Sequence, residues 1–296
     1  MEVNKLKGNL PPFLILIAAI LWGTTGTAQA LAPETAHPIA IGATRLAVGG
    51  LFLLFFVLIT GKLHISNWPI KTTLLASLSM ALYQPFFFSA VTITGVAIGT
   101  VVAIGSAPIL SGLIEWIYYK RRPSTVWWYS TFLAIVGCLM LFMNKESVYV
   151  DPFGIVMALG AGLAFASYTI VSRDLVGRFS SVSVVAVVFT LSAIYLVPFL
   201  FIFDMSWITN IRGISVSLHL GIVATGIAYL LFAKGLTQVA SSTAVTLALA
   251  EPLTAALLGV FIVGETLNTT SWIGIFLLML GIGILIWGSK KSNPAT

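Results

Sequence analysis

The chain has 296 residues, of which 58% are hydrophobic and only 8% are charged. An ordinary soluble domain carries roughly 25% charged residues, so the composition excludes a soluble globular protein and indicates a chain that crosses a membrane many times. The net charge of +6 comes from basic residues scattered among short loops, and we find no nucleic-acid footprint in it. Cys138 is the single cysteine, which excludes a disulfide within the chain.

Ten apolar runs are long enough to cross a bilayer, which takes about 20 residues for a helix. In chain order they lie near residues 12–31, 38–60, 72–92, 96–118, 126–143, 153–172, 182–203, 214–235, 241–263 and 270–288. The breaks between them are short and hold prolines, glycines and charged residues, so none has room for a soluble domain. The sequence therefore predicts an all-α membrane protein with ten transmembrane helices.

The first run has a second interpretation as a cleaved signal peptide. Lys5 and Lys7 precede it, and residues 28–30 have the small-x-small form of a signal-peptidase site. Cleavage there would remove the first helix of the repeat described below. We therefore expect the run to be retained as a transmembrane helix.

The distribution of lysine and arginine predicts the orientation in the membrane. If the N-terminus is cytoplasmic, twelve of the fifteen basic residues fall on the cytoplasmic side, Lys145 and Arg212 fall outside, and Arg45 lies within a helix. We expect both termini in the cytoplasm and the loop around residues 145–151 outside. The predicted localisation is the cell membrane, specifically a bacterial inner membrane, where the lipid bilayer surrounds the protein.

The two halves of the chain repeat each other. When the sequence is shifted by 144 residues, Pro108 aligns with Pro252, and a tryptophan and a glycine align in the same ungapped register. Because each half holds five helices, the second copy enters the membrane upside down. The sequence thus predicts two inverted five-helix repeats, residues 1–145 and 146–296. Inverted repeats are typical of secondary transporters that bind substrate near the midplane between the halves.

Four stretches of the chain form an ordered set of motifs. They are ILWGTTG (20–26), IGATRLAVGGL (41–51), LALAEPLTAALLGVFIVGE (247–265) and WIGIFLLMLGIGIL (272–285). As a set they resemble the drug/metabolite transporter superfamily, specifically its EamA branch, across essentially the whole chain. The resemblance implies ten helices, a five-plus-five repeat and export of small solutes. Ala107 stands where the second repeat has Glu251, so any role of that acid belongs to one half.

Glu251 and Pro252 stand side by side near the middle of the ninth run. An unpaired carboxylate is costly at that depth, whereas a proline is tolerated because neighbours or water can satisfy the freed carbonyl. We expect Glu251 to face a wet cavity and contact substrate or a proton, with Pro252 and Pro108 as bends or gating points. The alternative is a carboxyl that only joins helices through hydrogen bonds. Glu265, at the outer end of the run, is expected to cap the helix.

Arg45 is the only basic residue well inside a run. Its guanidinium stays charged in a protein, so it needs an acid, water or a path to the surface. Glu34 and His37, near the outer surface, are candidate partners, and both a structural anchor and a role in gating or substrate access remain open. A coupled Arg45–Glu251 pair is a further possibility, but the two residues lie at different estimated depths, so we do not predict direct contact between them.

Aromatic, hydroxyl and amide side chains complete the predicted cavity. Each one alone is compatible with ordinary helix packing, but together they fall on helices that line the cavity in the family fold. The candidate substrate-binding residues are Trp22, Thr25, Tyr83, Gln84, Tyr168, Tyr229 and Glu251.

The leading hypothesis is a secondary transporter that exports small amphipathic metabolites such as amino acids by alternating access, with a proton as the candidate coupling ion. A broad-specificity carrier of drugs or cations is the alternative within this class, and a non-transporting membrane sensor or scaffold is the alternative of another class. An enzyme is not expected, because no aspartate lies mid-run and His37, His64 and His219 lie in or near loops or early in a helix. We expect no catalytic residues, no metal site and no cofactor.

Overall fold

A computed structural model describes residues 10–63, 67–142, 151–264 and 266–291. These residues form ten helical segments and no strands. The helices are α1 (Leu10–Ala30), α2 (Pro38–Ile59), α3 (Ile70–Thr94), α4 (Val96–Tyr119), α5 (Thr125–Phe142), α6 (Pro152–Val176), α7 (Ser181–Ile202), α8 (Ile211–Leu236), α9 (Ser241–Ile262) and α10 (Thr269–Lys291). In this part of the chain nine are long and apolar enough to cross a membrane, and α5 is a shorter apolar helix. The ten predicted runs correspond one to one to these helices.

The polar residues between the runs supply the helix caps. The Asp151 carboxylate accepts a hydrogen bond from Phe153 N at 2.8 Å, and Pro152 begins α6. The Ser180 hydroxyl accepts from Ser183 N at 3.1 Å at the start of α7. Such residues satisfy N–H groups that have no partner within the helix. The polar residues and prolines that separate the apolar runs therefore also fix where the helices begin.

Helices of one repeat pack on helices of the other, and each such contact has an equivalent contact in which the two repeats have swapped roles. α2 packs along α7, and α5 packs along α10, so these contacts join equivalent helices. α3 and α4 both pack on α6, the first helix of the second repeat. Their equivalents α8 and α9 both pack on α1, the first helix of the first repeat. Two copies of one five-helix unit that face each other produce this exchange. The fold is therefore two inverted five-helix repeats, as the sequence predicts.

Glycines allow two of these helix pairs to approach closely. A Cβ atom on Gly23 of α1 would lie 2.5 Å from Thr254 Cβ and 2.8 Å from Glu251 O in α9. A Cβ atom on Gly137 of α5 would lie 2.5 Å from Leu278 N in α10. Small residues bring helices together in this way in membranes, and at Gly23 the close approach sets the position of the turn that carries Glu251.

Two helices of the second repeat depart from regular α geometry. α8 widens into π-helical turns over His219–Ile227, and π-helical turns over Gly259–Val263 form the end of α9 and extend one residue beyond it. A π-helical turn weakens the regular backbone ladder and is frequent at functional sites. In α8 the widened turns lie within the membrane-crossing part of the helix.

Pro252 follows an interruption of α9. The helix breaks at residues 248–249 and resumes at Ala250. Proline has no N–H with which to bond the carbonyl four residues earlier, so Ala248 O instead accepts from Glu251 N at 2.9 Å. By contrast, α4 runs without a break through Pro108. The break thus lies directly before the acid in the ninth helix.

Candidate functional site

A small enclosed cavity lies where the two repeats meet. Its volume is about 30 Å³, which is room for about one water molecule. Residues of α1, α2, α3, α4, α6, α8 and α9 surround it, namely Trp22, Arg45, Tyr83, Ala103, Ile104, Ala107, Phe165, Tyr229, Val245, Ala248 and Glu251. The cavity therefore contains both charges that the sequence places inside the membrane.

The structure brings together some of the predicted site residues and leaves others outside. Trp22, Tyr83, Tyr229 and Glu251 line the cavity, and Arg45 joins them. Three predicted residues do not line it, namely Thr25, Gln84 and Tyr168. Of these, Tyr168 is 1% exposed and packs edge-on against Tyr229, with ring centroids 5.7 Å apart, so it supports the cavity wall from behind.

Arg45 is bound to α8 across the repeat interface. Its side chain is buried, Nε donates to Thr225 Oγ1 at 3.1 Å, and Nη2 donates to Ala224 O at 3.4 Å. Both acceptors belong to the π-helical turns of α8. The candidate partners Glu34 and His37 are therefore not the ones that Arg45 uses: the wider turns of α8 provide acceptors deep in the bundle, so the guanidinium does not need to reach the surface.

Arg45 and Glu251 line the same cavity without forming an ion pair. Among the described residues no N–O distance between them is 4.0 Å or less, although the sequence suggested different depths for the two. A guanidinium has five N–H donors and Arg45 uses two. Glu251 is partly exposed, and nothing in the described ranges donates a hydrogen bond to its side chain. A carboxyl and a guanidinium thus face one cavity, and both have hydrogen-bonding groups that the described residues do not use.

Aromatic rings form the rest of the wall. The Trp22 ring lies 4.7 Å from that of Tyr229 and packs edge-to-face on Phe165 at 5.8 Å. Phe165 also lies 5.8 Å from Tyr83. The sequence interpretation missed Phe165 because its side chain carries no polar group. In the 144-residue register of the two halves, Phe165 aligns with Leu21, the neighbour of Trp22, and this repeat signal could have found it.

Glu115 of α4 joins the repeats at one end of the bundle, and the sequence interpretation also missed it. Its carboxylate is buried and accepts from Ser241 N at 2.9 Å and Ser242 N at 3.2 Å, the first turn of α9. Nη1 of Arg173, in α6, lies 3.7 Å from the same carboxylate. Glu115 stands five residues before the basic loop at 120–122, and only the tertiary packing reveals it as a cap. The cap predicted at Glu265 lies outside the described residues, as does His64.

A larger groove of about 870 Å³ opens at the other end of the bundle, between the end of α1, the start of α8 and the end of α9. His219 lines it, and its Nε2 lies 2.8 Å from Thr24 Oγ1 of the first repeat. Leu258, on the same groove, lies seven residues after Glu251, about two helical turns along α9. The groove and the cavity are therefore separate spaces along shared helices.

Ten membrane-crossing helices in two inverted repeats, with a charged cavity between the repeats, define a membrane transporter. The family model described as "EamA-like transporter family" matches residues 10–143 and again residues 152–287. The chain belongs to the EamA-like transporter family.

Similar proteins agree with this assignment. The chain is 51% identical over 290 residues to the "uncharacterized transporter YwfM" of Bacillus subtilis, covering 98% of each chain. It is 28% identical over 295 residues to the "threonine/homoserine exporter RhtA" of Escherichia coli, covering 99% of this chain and 94% of that one. A solved crystal structure superposes with a TM-score of 0.83 over 96% of this chain and 99% of that one. At 19% identity, that likeness shows the fold alone.

Proposed function

We propose that the chain is a secondary transporter that exports small zwitterionic metabolites, amino acids foremost, by alternating access. The observation that carries the proposal is that Arg45 and Glu251 share one enclosed cavity and do not pair. Isolated charges within a membrane are costly. A zwitterion satisfies both at once, with its ammonium on Glu251 and its carboxylate on Arg45.

The surroundings of Arg45 suit a carboxylate. A guanidinium binds carboxylates through a planar fork of N–H groups, and Thr225 and Ala224 hold one side of Arg45 in place. Three of its N–H groups then have no partner among the described residues and are left for a ligand. The aromatic wall formed by Trp22 and Phe165 suits the apolar body of a small metabolite.

Transport requires the cavity to open in turn to each side of the membrane. At about 30 Å³ it holds about one water, so an amino acid enters only when the helices move apart. The Glu115 cap joins the repeats at one end, and the groove lined by His219 opens at the other. With both termini in the cytoplasm, as the basic residues predict, the groove faces outward from a bacterial inner membrane. The exporter named among the relatives supports amino acids as the substrate class.

A second candidate function is the efflux of cationic drugs. The aromatic rings of Trp22, Tyr83 and Tyr229 beside Glu251 would attract an organic cation through ring and carboxylate together. A cation has no use for Arg45, whereas a zwitterion needs it. Arg45 therefore separates the two functions.

The test is counterflow of labelled L-threonine in proteoliposomes that contain the purified chain. Loss of a hydrogen bond to a charged group costs about 1.5–3 kcal/mol, which corresponds to a loss of exchange by Arg45→Gln of roughly ten- to a hundredfold. Arg178→Gln is the matched control, because Arg178 is exposed and lines neither the cavity nor the groove, and we expect it to retain exchange.

Size-exclusion chromatography checks that both variants remain folded. No exchange of any amino acid by the wild-type chain would contradict the proposal. Export of a cationic dye that Arg45→Gln leaves unchanged, without any threonine exchange, would favour the second candidate.

A further inference from the structure

Three buried tryptophans have an indole N–H without an acceptor in the described part of the chain: Trp22, Trp127 and Trp207. Trp127 packs against Gly112 in the contact between α5 and α4, and Trp207 lies in the short turn before α8. Of the three, Trp22 alone lines the central cavity. Its indole nitrogen is buried in this closed cavity, so a transported molecule meets this donor only when the helices move apart to admit it.

The ring of Trp22 is tightly enclosed. It is 4% exposed, and the rings of Phe165, Tyr229 and Phe232 lie 5.8, 4.7 and 5.1 Å from it. The indole nitrogen can only donate. Buried donors in native proteins are almost always paired, and an unpaired one requires an explanation such as a water or ligand.

We propose that Trp22 determines specificity: its indole N–H donates a hydrogen bond to an oxygen atom on the side chain of the transported amino acid. The inference rests on the proposed function, in which Glu251 binds the ammonium and Arg45 the carboxylate. With those two groups engaged, the side chain is the remaining part of the substrate, and Trp22 lies in the same cavity wall. The preferred substrates are therefore amino acids with a hydroxyl or ether oxygen near the α-carbon.

This hydrogen bond produces selectivity between substrates of equal size. A site built to hydrogen-bond a substrate group rejects an analogue that lacks the group, because the protein donor is then left unpaired. L-Threonine and L-valine differ only in a hydroxyl that replaces a methyl group. In wild-type exchange of labelled threonine, we expect the concentration of unlabelled threonine that halves the rate to be at least about tenfold lower than that of valine.

Trp22→Phe tests the role of the N–H directly. The substitution keeps an aromatic ring beside Phe165 and Tyr229 but removes the donor. We expect the threonine-to-valine preference to fall towards one, through weaker binding of threonine. Trp127→Phe is the matched control, since it removes another buried, unpaired indole N–H outside the cavity, and we expect its preference to match the wild type. An unchanged preference in Trp22→Phe would overturn the inference.

A second experiment uses the unaltered protein and so does not depend on the folding of a variant. O-methyl-L-homoserine and L-norleucine differ by an oxygen in place of a CH₂, and neither side chain has a donor. Because indole can only donate, we expect the ether to inhibit threonine exchange more strongly. Equal inhibition would refute the role of Trp22. A wild-type chain that exchanges no amino acid at all would instead refute the proposed function. The experiment therefore distinguishes failure of the Trp22 inference from failure of the proposed function.

Discussion

Glu115 of α4 accepts a hydrogen bond from the backbone N–H of Ser241 at 2.9 Å, so a carboxylate of the first repeat caps α9 of the second. Glu251 lies ten residues further along the same helix. Arg173 of α6 adds its charge to the cluster at 3.7 Å. One buried carboxylate thus fixes the end of the helix that carries the acid of the cavity.

Glu115→Ala is expected to lower the stability of the folded chain. It removes the cap from two N–H groups of α9 and leaves Arg173 without its buried partner. We expect a loss of about 1–3 kcal/mol, seen as a lower apparent melting temperature of the detergent-purified protein. Glu34→Ala is the control, because Glu34 is exposed. Equal melting temperatures for the two variants would show that the cap contributes nothing.

Gly23→Ala is expected to impair transport, whereas Gly26→Ala on the same helix is not. The added Cβ at Gly23 would lie 2.8 Å from Glu251 O, and the one at Gly26 would meet nothing within 4 Å. The first substitution therefore pushes α1 away from the turn that carries the acid. Threonine counterflow measures the difference, and similar rates in both variants would count against close α1–α9 contact in the working transporter.

The sequence predicted the helices because apolar length is a local property that the membrane imposes on every crossing segment. It also singled out Arg45 and Glu251, since charges are rare in such segments. It could not predict the partners of Arg45, because the acceptors come from π-helical turns of α8. It missed Phe165 and Glu115 for a related reason: one has no polar group, and the other acquires its role only when α4 meets α9.

The orientation of the helices stays a prediction, and single cysteines can test it. Thr209 precedes α8 and Arg121 follows α4, and both are exposed. In a Cys138→Ala background, we expect an impermeant thiol reagent to label Thr209→Cys in intact cells and Arg121→Cys only after the membrane is opened. The reverse pattern would invert the predicted topology and turn the groove lined by His219 towards the cytoplasm.

Glu251→Gln is expected to keep the fold but depress threonine transport by at least about tenfold, since it removes the charge that holds the ammonium. The amide preserves the shape of the side chain and one acceptor, so the melting temperature should stay close to that of the wild type. If the carboxyl also carries the coupling proton, the wild-type rate changes with pH as the carboxyl gains or loses that proton. The amide cannot titrate, so the pH profile of the variant should be flatter.

The alternative role for Glu251, as a group that only joins helices, leads to a different result. Glu251→Gln would then transport nearly normally, and Glu251→Leu would lower stability by about 1–3 kcal/mol because its partners would lose an acceptor. The structure favours the cavity role, because Glu251 lines the cavity and no group in the described ranges donates a hydrogen bond to its carboxyl. Asp174→Asn, at an exposed site that lines neither the cavity nor the groove, is the matched control and should keep both the rate and the pH profile. Normal flux with an unchanged profile in Glu251→Gln would end the transport role of this acid.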